Sequence, residues 1–146
     1  MRSGTEKWGR SVGWSMSERI DSDLTSAALN MAIRLRHPDN GLIHHSDRGV
    51  QYASLAYQEI LRRCRMVCSM SGKGDCWDNA CMESFFGSLK TKWVNHAGYA
   101  TREEARKDVF KYIEAFYNVR RRHQSLGYVS PATYEEMKSK TTDQVA

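Results

Sequence analysis

The chain has 146 residues, 40% of them hydrophobic and 27% charged, with a formal net charge of +5. That length is about one domain with a modest core, and the composition sits near the globular average, which excludes wholesale disorder. A mean hydropathy of -0.65, the absence of any apolar run near the roughly 20 residues of a spanning helix, and the polar start from Met1 to Ser11 exclude a membrane helix and a secretory signal, so a soluble, cytoplasmic protein is expected.

The positive charge is spread evenly, +1 in residues 1–50, +2 in 51–100 and +2 in 101–146. There is no basic tail, so a basic face would form only on folding, as a nucleic-acid binder needs. Val12-Gly13-Trp14 is a short apolar piece, a strand or the end of one. Asp21 or Ser22 caps a first helix, with Leu24, Ala27, Ala28, Met31 and Leu35 as its apolar stripe. His37 to Gly41 is a turn. Leu42 to His45 reads as a short strand, and Ser54 caps a second helix with Tyr57, Ile60, Leu61 and Cys64 along one side. Met66 to Cys68 reads as another strand. Strand, helix and strand in so short a span form a βαβ unit, for which parallel pairing is expected.

Ser69 to Asp75, with two glycines and Lys73, is a loop. A third helix starts at Asp78 or Asn79, with the stripe Met82, Phe85, Phe86, Leu89 and Trp93. Thr101-Arg-Glu-Glu104 fits a capping box for a fourth helix. That helix turns Ala105, Val109, Tyr112, Ile113 and Phe116 inward, and Arg120-Arg121-Arg122 closes it. Ser130-Pro131 opens a last helical turn or two before a polar, frayed end. Cysteines 64, 68, 76 and 81 match no standard zinc module, so reduced thiols in or near the core are expected.

Two acids stand out by position. Asp47 directly follows the Leu42–His45 strand, and the carboxyl ends of strands in open α/β sheets are where ligands collect. Taken out of context, it also reads as a turn-capping aspartate before Arg48-Gly49. Glu83 falls in the first turns of the third helix. With Met82 at zero and about 100° per residue, Glu83 lies near 100° and Lys90 near 80°, at the edge of a stripe reaching about 60° either side. Thirty-five residues separate the two acids. His44 and His45 flank Asp47, but successive strand residues point to opposite faces and do not easily share one ion.

With that spacing, three stretches closely resemble the integrase core of bacterial insertion-sequence transposases. They are His45-Ser-Asp-Arg-Gly-Val-Gln-Tyr52, residues 69–90 from Ser69-Met-Ser-Gly-Lys73 to Ser-Leu-Lys90, and Tyr117-Asn-Val-Arg-Arg-Arg-His-Gln-Ser-Leu-Gly-Tyr-Val-Ser-Pro131. These are the DDE transposases, whose catalytic part is encoded in a second reading frame and is related to retroviral integrases. The resemblance runs from about Arg10 to Met137. It implies an α/β, ribonuclease-H-like integrase core, a mixed sheet with flanking helices, acting in DNA transposition and integration by phosphoryl transfer.

In that family three carboxylates hold two divalent metals, Mg²⁺ or Mn²⁺. Asp47 matches the second acid, Glu83 the third, and Lys90 the basic residue two turns after the Glu. Lys73, Lys90, Arg120, Arg121 and Arg122 are the expected DNA contacts, although Lys90 and the arginines also read as ordinary helix-end cations. Trp77 reads as packing at a helix entrance, with base stacking as the alternative.

The family's first acid, on the first strand, has no match. Met1 to Gly9 holds no aspartate and no strand-like run. The expectation is therefore a transposase core truncated at its N-terminus, lacking its first strands and binding Mg²⁺ weakly.

The expected organisation is a leader at 1–11, a partial core at 12–98, C-terminal helices at 99–137 and a tail at 138–146. The expected partner is double-stranded DNA, together with a full-length transposase or a first-frame DNA-binding protein, in the bacterial nucleoid and without a membrane. The alternatives are a non-catalytic DNA-binding or transposase-pairing remnant, and a ribonuclease-H-like nuclease.

Overall fold

The computed structural model describes residues 9–70 and 80–143. Lys73 and Trp77 lie outside the described residues, as does the expected loop from residue 71 on. The chain forms two compact units, one of Val12–Ala80 and the other of Met1–Ser11 with Cys81–Ala146. Among the described residues no helix is long and apolar enough to cross a membrane.

The first unit holds α1 (Ser22–Arg36), β1 (Ile43–Ser46), α2 (Leu55–Arg63) and β2 (Val67–Met70). Asp21 starts α1 by accepting the Leu24 N–H at 2.9 Å, and Ser54 starts α2 by accepting that of Tyr57 at 3.3 Å. Each satisfies an amide that the helix itself leaves without a partner. The strands pair in parallel, Ile43 with Val67 through Ser46 with Met70, as the βαβ reading requires.

The core of this unit is Leu29, Tyr57 and Leu61, with Ile33, Tyr52, Ile60 and Met66 packed around it. The expected α1 stripe is corrected here, since Ala27 and Leu35 are exposed while Leu29 is buried. Helix α1 is apolar on more than one side. Leu29 and Ile33 meet α2, and Ala28 and Ala32 receive Gly13. A Cβ on Gly13 would sit 2.2 Å from the Ala28 carbonyl oxygen. Val12-Gly13-Trp14 is not a strand. It is a close crossing over a small-residue patch.

The second unit holds α3 (Ala80–Lys92), α4 (Arg102–Lys111), a π-helical continuation over Tyr112–Tyr117, and α5 (Pro131–Asp143). Thr101 Oγ1 accepts the Glu104 N–H at 3.2 Å, while the Glu104 carboxylate reaches back to the Ala100 N–H at 3.0 Å, one residue beyond the expected capping box. Buried Phe85, Leu89, Val109, Tyr112, Ile113, Tyr117 and Leu126 form the core.

Its rings meet edge-on: Phe85 lies 4.8 Å from Tyr117 and 6.1 Å from Tyr112, and Trp93 lies 5.4 Å from Tyr112. Such pairs add to plain area burial. The wide π turn keeps Tyr112, Ile113, Tyr117 and Asn118 all buried. Helix α5 is longer than the expected turn or two and reaches Asp143.

Fully buried Asn118 fixes this unit's two distant stretches of chain. Its Oδ1 accepts the Ser11 N–H at 2.9 Å and its Nδ2 donates to the Ser11 carbonyl at 2.9 Å. Its own carbonyl accepts the Ala132 N–H at 2.9 Å. One amide side chain thus pairs with a backbone as a strand would, and holds the end of the expected leader in place.

Candidate functional site

Asp47 follows β1 directly, at the carboxyl end of the parallel pair. It is half-buried, and its Oδ1 accepts the Gly49 N–H at 2.8 Å. That bond closes the Asp-Arg-Gly turn and also fixes the carboxylate's orientation. The Tyr52 hydroxyl is held above its ordinary pKa, first by burial and next by the negative charge of Asp47.

Behind Asp47 runs a chain of rings. Tyr52 stands edge-on to Tyr57 at 5.4 Å, and the Tyr57 hydroxyl meets His44 Nε2 at 2.9 Å. Burial raises the Tyr57 pKa and lowers that of His44. The neutral His44 ring is therefore committed to packing against α2, and Nε2 is engaged by a hydroxyl. His45 lies on the other face, exposed, with Nδ1 3.1 Å from Ser69 Oγ. The flanking histidines thus divide between faces, as strand alternation dictates. The Tyr52–Tyr57–His44 support was not singled out as a unit from the sequence, where Tyr57 stood in a helical stripe, His44 beside Asp47 and Tyr52 at the end of a motif stretch.

Glu83 and Lys90 belong to the helical unit. Both are exposed on α3. Of the expected α3 stripe, Phe85 and Leu89 are buried, whereas Met82 and Phe86 are exposed. The buried line is thus rotated, and Glu83 and Lys90 sit about 140° and 120° from it rather than at its edge. They remain on one line, about 10 Å apart along the axis at 1.5 Å per residue.

The three arginines after the π turn divide. Arg120 and Arg122 are exposed, while Arg121 is half-buried. Its guanidinium lies over the Tyr117 ring at 5.3 Å and donates to the Tyr112 hydroxyl at 3.4 Å. His123 is buried edge-on to Tyr117 at 5.1 Å and pairs its backbone with Val129. Much of the Tyr117–Pro131 motif is therefore architecture: an amide clamp, a capped aromatic core and a helix start where Ser130 Oγ accepts the Thr133 N–H at 3.3 Å.

Cys64 is half-buried and Cys68 exposed. The expectation of packed thiols is thus corrected for Cys68, which stands on a strand left largely exposed, with Val67 and Met70 exposed beside it. Among the described residues no group of three or more His, Cys, Asp or Glu could hold a metal ion.

Residues 9–76 and 65–131 each match an integrase core domain profile. The chain belongs to the integrase core family of insertion-sequence transposases. It is 48% identical over 125 residues to the insertion element IS600 uncharacterized 31 kDa protein of Shigella sonnei, covering 86% of this chain and 46% of that one. The transposase for insertion sequence element IS904 of Lactococcus lactis is 46% identical over 128 residues, covering 88% and 51%. Transposase InsF for insertion sequence IS3A of Escherichia coli is 47% identical over 129 residues, covering 88% and 45%. The chain thus spans about half the length of the relatives it matches. No solved structure matches it. The family generally uses divalent metal ions and acts on DNA.

Proposed function

We propose that this chain supplies the second and third carboxylates, Asp47 and Glu83, of a two-metal site that transfers phosphoryl groups on double-stranded DNA in transposition and integration. The fold meant is the ribonuclease-H-like core, of which β1, α2 and β2 would be a part. The observation that carries the reading is Asp47, held immediately beyond the carboxyl end of β1 by the Gly49 N–H. A carboxylate pinned by an outer hydrogen bond is a preorganised ligand, and its oxygens suit Mg²⁺ or Mn²⁺.

The donor set fits in kind and is short in number, since the resemblance matches two acids of three. The metal pair, when bound, would activate the attacking oxygen and stabilise the leaving one in an in-line displacement. Asp47 and Glu83 would hold it. Lys90, Arg120 and Arg122, with Lys73, would hold the DNA backbone, and Arg121 would brace the ring cluster behind its two neighbours. A full-length transposase or a first-frame DNA-binding protein would be the partner that completes the site.

Mn²⁺ binding by the purified chain, followed by electron paramagnetic resonance, tests the acids. Weak binding is expected, lowered further by Asp47→Asn or Glu83→Gln; binding indifferent to both removes the assignment. Alone, the chain is expected to join no labelled DNA end in Mg²⁺. Joining that disappears in Glu83→Gln would overturn that expectation and show that two acids suffice.

A further inference from the structure

The end of the strand pair away from Asp47 carries its own charge. Because β1 and β2 are parallel, α1 and α2 both deliver their last turns to the amino ends of the strands. Arg34 and Arg36 lie in the last turn of α1, Arg62 and Arg63 in that of α2. Arg65 follows, in a left-handed conformation with φ 51°. The Gly41 N–H donates to the Arg65 carbonyl at 2.8 Å and the Val67 N–H to that of Leu42 at 2.9 Å. These two bonds stitch the connections side by side, so the arginines of both helices gather at one pole. All five are exposed.

The only carboxylates in residues 34–46 and 59–67 are Asp39 and Glu59. Glu59 grips Arg62 Nε at 2.7 Å and Arg63 Nε at 3.0 Å. Those bonds hold its pKa down to about 2, so it stays charged. By sequence these two stretches carry five arginines against two carboxylates, a formal excess of three positive charges before exposed His37 is counted. Two helix C-termini together amount to about one negative charge. Neutralising the helix dipoles therefore accounts for only part of the excess, and Arg65 is not on a helix at all. Every cation in residues 12–70 is an arginine and none a lysine. Arginine is the side chain whose planar fork matches phosphate.

We infer that this arginine pole, Arg34, Arg36, Arg62, Arg63 and Arg65 at the amino ends of β1 and β2, is a second DNA-backbone contact surface separate from the acid site. It rests on the DNA reading above. A four-residue strand, roughly 13 Å long, separates the pole from Asp47. The phosphates it grips are thus not the one attacked, and its work is to hold and orient the duplex.

The test is fluorescence anisotropy of the whole chain on a labelled duplex of arbitrary sequence, across a salt series. Each phosphate contact contributes about 0.9 to the log–log salt slope. Arg62→Gln, Arg63→Gln and Arg65→Gln together are expected to lower that slope by roughly 2 to 3. The matching triple lysine variant is expected to keep the slope, because charge sets it, with an unchanged circular dichroism spectrum. Should the glutamine triple fold poorly, Arg34→Gln with Arg63→Gln is expected to lower the slope by about 2. An unchanged slope in a chain that still binds DNA overturns the pole and leaves the DNA reading standing; an acidic protein surface would then be its partner. No DNA binding by the unsubstituted chain overturns both.

Discussion

In the strand-bearing unit Leu29, Tyr57 and Leu61 are buried, while Leu42, Ile43, Val67 and Met70, on or beside the strands, stay exposed. In the helical unit Phe85, Leu89, Val109, Tyr112, Ile113, Tyr117 and Leu126 close around one another. One half of the chain invests its apolar residues in a ring-stacked core, and the other leaves much of its sheet uncovered. The two candidate acids inherit that difference. Glu83 stands two residues before Phe85, on a helix anchored in the dense core, whereas Asp47 stands just beyond a strand whose support is the thin Tyr52–Tyr57–His44 chain. In the proposed site, the position of the Asp47 carboxylate should therefore be the more easily disturbed of the two.

The contrast is most directly broken by truncating one core residue in each unit. Tyr112, fully buried and touching Phe85, Trp93, Phe116 and Tyr117, should lose about 3–5 kcal/mol as Tyr112→Ala. Leu61→Ala, in a core of three buried residues, should lose about 2–3 kcal/mol, because a thin core collapses more readily around the hole. Urea unfolding followed by circular dichroism measures both. Equal losses would mean the strand-bearing unit is packed as tightly as the other.

Gly13 sharpens the same point, for here the thin unit is locally tight. A methyl group placed 2.2 Å from the Ala28 carbonyl and 2.8 Å from the Ala32 Cβ must displace the crossing segment. Gly13→Ala should therefore destabilise by about 1–3 kcal/mol, read as a lower thermal midpoint. A neutral result would place the segment clear of α1. In the helical unit the counterpart is Asn118. Asn118→Ala removes two hydrogen bonds to Ser11 and leaves the half-buried Ser11 backbone groups without these partners, at about 1–3 kcal/mol. Hydrogen exchange at the Ser11 amide should quicken far more than exchange within α4, and uniform quickening would mean Asn118 serves the whole unit rather than the clamp.

What could be read beforehand followed from local chemistry. Asp21, Ser54 and Thr101 announced three helix starts because a cap needs only a short polar side chain and an amide three residues on. The β1–α2–β2 unit was legible from its apolar runs and their brevity. The working face of α1 was not, because residues 24–35 are apolar on several sides and only the partners decide between them. The rotation of the α3 stripe was hidden in the same way, since Met82 and Phe86 differ from Phe85 and Leu89 in what packs on them, not in hydrophobicity. The Asn118 clamp depends on contacts across 107 residues of sequence, which no window of periodicity spans. Motif and spacing singled out Asp47, Glu83 and Lys90 as candidates, and their roles rest on that resemblance. The split role of the arginine run was not, because Arg121 is assigned by Tyr112 and Tyr117 and not by its neighbours.

Acid should separate the units last and least. His44 in the strand-bearing unit and His123 in the helical one are both held below the ordinary imidazole pKa of 6.5, chiefly by burial. The next contribution at His44 is a backbone hydrogen bond that raises it, whereas at His123 it is the positive charge of Arg121, which lowers it further. A depressed histidine is neutral when folded and takes up a proton more readily when unfolded. The stability it confers is therefore complete above about pH 6.5 and is lost as pH falls from there through the folded pKa. Unfolding midpoints should accordingly drop between pH 7.5 and pH 5.5. His123→Phe should flatten that dependence more than His44→Phe, because both influences at His123 push the same way. Imidazole proton shifts followed by NMR should titrate below 6.5 for both rings. A His123 midpoint at or above 6.5 would mean the ring meets solvent, and the aromatic core beneath Arg121 would then be looser than its edge-on contacts require.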